Sequence, residues 1–245
     1  MNPNATLTFL KKITKKTQYL PSELIHLIYP EHCQICDCEL SKYQKKICSF
    51  CFGELPFTNF ESYKESTSLE ELFWGRCKIQ HSFALLYFEK GKTTQQLLHE
   101  LKYNDKPLLG EILGEIIGKK LFNSDKWKEI DVLIPVPIHH LKAYKRGYNQ
   151  SEKIASGISK TLNIPVKTGF LKKHINTKSQ TKNNKISRWE NVKDTFYINK
   201  IERYKHIALI DDVITTGSTL ETIVNDIHKK YPDIRISIIS LALTK

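Results

Sequence analysis

Four apolar residues, Ile207 to Ile210, run directly into two carboxylates, Asp211 and Asp212, and then into a hydroxyl-rich turn around Gly217. No other stretch constrains the fold as tightly. The apolar run reads as a buried strand that the two acids close. Beyond the turn, Leu220, Ile223, Val224 and Ile227 recur at helical spacing, so the turn opens a helix. The free N–H groups of a helix's first turn and its macrodipole favour a phosphate there. Gly217 lets backbone approach a ligand closely, and Thr215, Thr216, Ser218 and Thr219 offer hydroxyl donors. Asp211 and Asp212 are placed to accept hydrogen bonds from vicinal hydroxyls of a sugar whose phosphate lies in the turn. The plainer alternative is an ordinary strand-turn-helix with an acidic cap. A Walker-type loop fits poorly: only three residues separate Gly114 from Gly118 where four are required, and Lys120 stands where Ser or Thr is required. Gly110, Gly114 and Gly118 more simply mark the close-packed face of a helix.

The stretch from Ile207 to Thr219 resembles the phosphoribosyl pyrophosphate motif of type I phosphoribosyltransferases. The resemblance implies that Asp211 and Asp212 hold the ribose hydroxyls and that Thr215, Thr216, Gly217, Ser218 and Thr219 wrap the 5′-phosphate.

A chain of 245 residues has room for one large α/β domain and a small appendage. It carries 38 basic against 26 acidic residues, a net charge of +12, which points to an anionic partner. Seven basic residues fall between Leu171 and Lys193, against the single acid Glu190. That segment lacks an apolar period and reads as a long mobile loop, either solvated or facing a ligand. No stretch reaches the ~18 apolar residues of a membrane helix. Lys11, Lys12, Lys15 and Lys16 precede no apolar run or cleavage site, so no signal peptide and a cytoplasmic location are expected.

Near the front, Cys33-x2-Cys36 and Cys48-x2-Cys51 are separated by eleven residues. Two such knuckles can bring four thiolates to the corners of a tetrahedron, the geometry zinc prefers. Free buried cysteines or redox pairs are the alternatives. With all four positions filled by protein, the zinc would be structural, and a segment near 30 residues needs such a staple. Cys38 is read as a bystander and Cys77 as isolated.

Strands are expected at Phe83–Phe88, Asp131–Val136, Ile207–Ile210 and Ile236–Leu241, alternating with helices. One helical stretch, from Thr94 to Ile117, is interrupted at Asn104 to Pro107. Such alternation predicts a mostly parallel sheet with helices on both faces and ligands beyond the carboxyl ends of its strands. Pro135 to Gln150 and Asp211 to Thr219 would then share one edge.

The cysteine pairs, Pro135-Val136-Pro137, Arg146-Gly147-Tyr148-Asn149-Gln150 and the phosphoribosyl motif, in this order, resemble the ComF family. Lys178-Ser179-Gln180, Ser187-Arg188, Asn191-Val192 and Phe196 extend the match, which runs from about Cys33 to the C-terminus. The resemblance implies a type I phosphoribosyltransferase-like α/β domain over residues 75–245, a zinc module over 31–60 and a basic, short helical segment over 1–30. It makes Pro135, Val136, Pro137 and Gly147 part of the pyrophosphate-side loop, and Arg146, Asn149 and Gln150 face the diphosphate or the acceptor. Lys172 to Arg188 becomes a catalytic loop, with Lys178 beside Arg146, Asp211 and Asp212 as catalytic residues. Mg²⁺ would accompany the diphosphate. The implied activity is binding of phosphoribosyl pyrophosphate, or a related nucleotide-like ligand, and phosphoribosyl transfer with pyrophosphate release. The alternative is non-catalytic handling of single-stranded DNA in competence and DNA uptake, with a competence helicase as partner. In that case Tyr144, Tyr148 or Trp189 would stack on bases. No segment that reads a nucleobase stands out, and Asn2 at the second position argues against glutamine-dependent chemistry.

Overall fold

Strands form where the apolar runs lie. The computed structural model describes residues 30–41, 46–103, 106–174, 195–200 and 204–244. The expected segment 1–30, Lys178 and the rest of 175–194, including Trp189, lie outside the described residues, apart from residue 30. Described residues up to Glu54 form one compact unit and those from Leu55 onward a second. Residues 55–60, expected in the zinc module, and 61–74, outside the expected domain limits, belong to the larger unit.

The smaller unit holds both cysteine pairs and the short helix α1 (Ser49–Gly53). In the larger unit the helices are α2 (Ser68–Glu71), α3 (Thr93–Tyr103), α4 (Pro107–Leu121), α5 (His140–Arg146), α6 (Gln150–Leu162) and α7 (Ser218–Lys230). The strands are β1 (Ser82–Phe88), β2 (Val132–Pro135), β3 (Leu171–His174), β4 (Thr195–Ile198), β5 (His206–Ile214) and β6 (Arg235–Thr244). Strands β1, β6, β5 and β2 form, in that order, a sheet whose pairs are all parallel. Eight consecutive buried residues along β6 mean that both faces of the sheet are covered, as a parallel sheet requires. The sheet's edges are also occupied. Thr58 N donates to Leu85 O (3.0 Å) along β1, and Lys167 N donates to Leu133 O (2.9 Å) along β2.

Helices α4 and α6 meet through glycine. A methyl on Gly114 would run into the Ile154 carbonyl, and one on Gly157 into the Glu111 carbonyl. The close-packed face expected at Gly110, Gly114 and Gly118 is therefore real, and it faces Lys153, Ile154 and Thr161. No helix among the described residues is long and apolar enough to cross a membrane.

Three local expectations are corrected. The acids do not close β5: Asp211 pairs with Ser240 and Val213 with Ala242, because β6 supplies β5 with ladder partners as far as Leu243. The long loop is shorter at its base, where Leu171–His174 pairs antiparallel with Thr195–Ile198. Leu171, Phe196 and Ile198 are buried there, while Lys172 and Tyr197 stay exposed, so polar residues on one side hid a strand. The approach to Gln150, read as loop, contains α5.

Candidate functional site

β5 carries Asp211 and Asp212 to the carboxyl edge of the sheet, and the chain turns through Thr215, Thr216 and Gly217 into α7. Gly217 adopts the left-handed conformation (φ 71°), and a methyl there would come within 3.0 Å of the Phe73 ring. Both facts demand glycine. Thr215, Thr216 and Ser218 are exposed, and Thr219 is half-buried. Thr216 Oγ1 donates to Ser218 Oγ (3.2 Å), and the Gly217 cap has no side-chain hydrogen bond. The hydroxyl-rich turn is thus an open rim around the start of α7.

Two groups from distant parts of the chain meet the carboxylates. Lys102, in the last turn of α3, places Nζ 3.0 Å from Asp212 Oδ2. Ser151 Oγ donates to Asp211 Oδ1 at 3.5 Å. Each carboxylate also folds back on the backbone: Asp212 N donates to Asp211 Oδ1 (2.9 Å) and Val213 N to Asp212 Oδ1 (2.7 Å). Burial, with the charge of Asp212 second, pushes the Asp211 carboxyl up to about 8. Asp211 is therefore largely protonated near neutral pH until a cation or a hydrogen-bonding ligand joins it.

The Pro-Val-Pro segment lies alongside. Val136 N donates to Ile210 O (2.9 Å), and Asn149 Nδ2 donates to Val136 O (3.0 Å). Asn149 also caps α6, its Oδ1 accepting from Ser151 N at 3.1 Å. Pro135, Val136, Pro137, Asn149 and Asp211 thus converge on one edge. Gly147, at φ 74°, makes the turn between α5 and α6. Gln150 is fully buried; its Oε1 accepts from Arg146 Nη1 (3.0 Å), and its Nε2 has no acceptor among the described residues. Arg146 stacks 5.3 Å from the centre of the Tyr103 ring and lowers the pKa of its hydroxyl. Of the aromatics considered for base stacking, Tyr148 instead donates its hydroxyl to Leu101 O (2.5 Å), and Tyr144 is exposed.

Beside Lys102 and Thr215 opens a mostly apolar cavity of about 270 Å³, walled by Phe88, Leu98, His99 and Tyr103. The rings of His99 and Tyr103 lie 5.1 Å apart. Sequence reading missed Lys102, Ser151 and this cavity. Each is assembled from separate elements, and only the fold reveals it.

In the smaller unit, the Sγ atoms of Cys33, Cys36, Cys48 and Cys51 all lie within 4.8 Å of one another. Cys36 Sγ and Cys48 Sγ are 3.8 Å apart, close to the ~3.8 Å edge of a tetrahedron with ~2.3 Å metal–sulfur bonds. Cys48 N donates to Cys33 Sγ and Cys51 N to Cys48 Sγ, both at 3.3 Å. Burial works to raise Cys33, but backbone donors at Cys36, Cys48 and Ile35 outweigh it and lower its pKa. Backbone donors likewise lower Cys36 and Cys48, whereas burial raises Cys51. The four could hold a metal ion, and the donor set fits zinc. Cys38 lies outside the group, and His32 is engaged with Asp37 O (2.8 Å). Cys77 belongs to the larger unit, its thiol pushed up to about 11 by burial.

No family model matches the chain. Competence protein F of Haemophilus influenzae is 30% identical over 133 residues, covering 52% of this chain and 58% of that protein. The DNA utilization protein YhgH of Escherichia coli O157:H7 is 25% identical over 130 residues, and that of Escherichia coli K12 24% identical over the same length. The chain spans 57–58% of the length of these relatives. Among solved structures, a purine phosphoribosyltransferase from Pyrococcus horikoshii Ot3 matches with a TM-score of 0.30 and 17% identity, covering 55% of this chain and 82% of that one.

Proposed function

We propose that the chain binds the ribose 5-phosphate portion of phosphoribosyl pyrophosphate, or of a related nucleotide-like ligand, and transfers the phosphoribosyl group with release of pyrophosphate. The observation behind this reading is the pair Asp211 and Asp212, held by Ser151 and Lys102 directly before an open hydroxyl rim at the start of a helix. The two carboxylates accept the ribose hydroxyls, while the amides and hydroxyls from Thr215 to Thr219 surround the 5′-phosphate. Arg146, freed from Gln150, supplies a planar fork to the diphosphate oxygens. Lys178, outside the described residues, is the expected second cation. The bond from the anomeric carbon to pyrophosphate breaks as a bond from the acceptor forms, the electron pair leaves with the pyrophosphate, and the acceptor's proton passes to the pyrophosphate or to water. Positive charge spreads over the ring in the transition state, and the two carboxylates offset it. The half-buried acids fit a Mg²⁺-loaded ligand; bound with the diphosphate, Mg²⁺ would neutralise charge on the leaving group. The cavity between Phe88, His99 and Tyr103 adjoins Thr215 and Lys102, so a small planar acceptor fits there. Zinc in the Cys33, Cys36, Cys48 and Cys51 site has a structural part.

A second reading has a specific support. The relatives are named for competence and DNA utilization, and the chain carries a net charge of +12. In that reading the site binds its ligand without turnover while basic residues handle single-stranded DNA. Pyrophosphate release and single-stranded DNA affinity, measured together on the wild type and on Asp211→Ala/Asp212→Ala, separate the two. Release that vanishes in the variant supports transfer. Salt-sensitive DNA binding without release overturns it.

A further inference from the structure

We infer that Arg76 is the positioning residue of the phosphate loop and shields the loop's ligand from Glu221, an inference that rests on the phosphoribosyl reading above. Arg76 reaches Thr216 across 140 residues of sequence. Its Nη1 donates to the Thr216 carbonyl at 2.8 Å and to the Leu72 carbonyl at 3.0 Å. Its Nη2 and Nε both donate to Glu221 Oε2, at 2.5 and 3.1 Å. One planar guanidinium therefore ties its own turn, the loop backbone and the first turn of α7 together, a task suited to the fixed fork of arginine. The same turn supplies Phe73, which lies against Gly217, and Asn225 Nδ2 donates to Arg76 O at 3.4 Å.

Two physical consequences follow from these contacts. In a trans peptide the carbonyl and the amide N–H point in opposite directions. Holding the Thr216 carbonyl toward Arg76 therefore aims the Gly217 N–H away from it. The amide direction of the loop is fixed before any ligand arrives.

The second consequence is electrostatic. Glu221 sits in the first turn of α7, its N–H bonded to Gly217 O at 2.9 Å. A carboxylate there favours the empty helix end but repels a phosphate dianion at the same end. Arg76 draws that carboxylate aside and neutralises it, each side chain being 31% exposed. Removing Arg76 should harm ligand binding twice, by releasing the loop and by freeing a negative charge beside the phosphate. Only the second harm can be relieved by removing Glu221's charge.

The test uses the full chain, with ribose 5-phosphate as probe in calorimetry and hydrogen exchange read at the Gly217–Thr219 amides without ligand. Arg76→Ala should speed exchange and weaken ribose 5-phosphate about tenfold, the scale of a lost charge-assisted hydrogen bond. Arg76→Ala/Glu221→Gln should still exchange fast yet recover to within about threefold of wild type. Glu221→Gln alone should bind like wild type. If Arg76→Ala does not fold, Arg76→Gln with and without Glu221→Gln carries the same comparison, because glutamine keeps much of the side chain's bulk but neither the charge nor the fork. Unchanged exchange, or equal affinity losses in the single and double variants, would overturn the inference. If the wild type ignores ribose 5-phosphate, it is the phosphoribosyl reading that fails, and the exchange arm still decides the positioning role.

Discussion

Lys102 Nζ lies 3.0 Å from Asp212 Oδ2, so a helix that precedes β5 by some hundred residues supplies the counter-charge for half of the acidic pair. The other half, Asp211, has a hydroxyl from Ser151, the N–H of Asp212 and the repulsion of that neighbour's carboxylate. The two acids are thus unequal before any ligand binds: Asp212 is charge-paired and Asp211 is driven toward its neutral form.

This inequality has a pH signature. The Asp211 pKa is raised in the folded state from 3.8 to about 8 by burial and by Asp212. The folded protein then holds a proton that the unfolded chain has lost, so stability falls as pH rises from about 4 to about 8. Asp211→Asn should remove that slope and stabilise the protein by about 2 kcal/mol at pH 8, less than the full shift implies because the carboxylate keeps some access to water. Urea denaturation of both proteins at pH 5 and pH 8 checks this; parallel pH dependence in the two would refute it.

His206 acts in the opposite direction. It is buried, bonded to Ser237 Oγ at 2.8 Å, and burial followed by the charge of Arg235 lowers its pKa to about 4. The unfolded chain protonates it near 6.5, so stability contributed by the neutral ring is present above that pH and lost as pH falls toward 4. His206→Asn should flatten the acid limb below pH 6.5 by up to about 3 kcal/mol. Thermal melts between pH 4 and 7 report the difference, and an unaltered acid limb would contradict it.

The glycine seam between α4 and α6 leaves no room for a side chain. Gly114→Ala and Gly157→Ala should each destabilise the larger unit by about 2–3 kcal/mol, because backbone carbonyls, not flexible side-chain ends, stand in the way. Gly91→Ala, at a left-handed turn in open space, is the contrast and should cost only about 1 kcal/mol of backbone strain. Chemical denaturation of the three variants would rank them; equal losses would deny the seam.

For the four-cysteine group, Cys33→Ser or Cys48→Ser should abolish stoichiometric zinc, while Cys38→Ser should retain it. Elemental analysis of the purified proteins decides the matter, and zinc persisting in Cys33→Ser would exclude that thiolate as a ligand.

The parallel sheet was legible in the sequence because β1, β2, β5 and β6 each contain a largely apolar stretch, the pattern of strands covered on both faces. β3 and β4 were not, since Lys172 and Tyr197 face outward and the strands hold only a few buried residues. The acids and hydroxyls of the site were legible because they are consecutive. Lys102, Ser151 and Arg76 were not, because each reaches the site from another element and none belongs to a local motif. Asn149, expected to face the diphosphate or the acceptor, also has a structural task that no sequence motif announced: it caps α6 and ties it to Val136.

Calorimetric titration with phosphoribosyl pyrophosphate and Mg²⁺ addresses the central claim most directly. The wild type should bind one equivalent saturably, and Asp211→Ala/Asp212→Ala should lose at least about tenfold in affinity, the worth of one charge-assisted hydrogen bond, while remaining folded. Absence of binding to the folded wild type, or equal affinity in the variant, would contradict it.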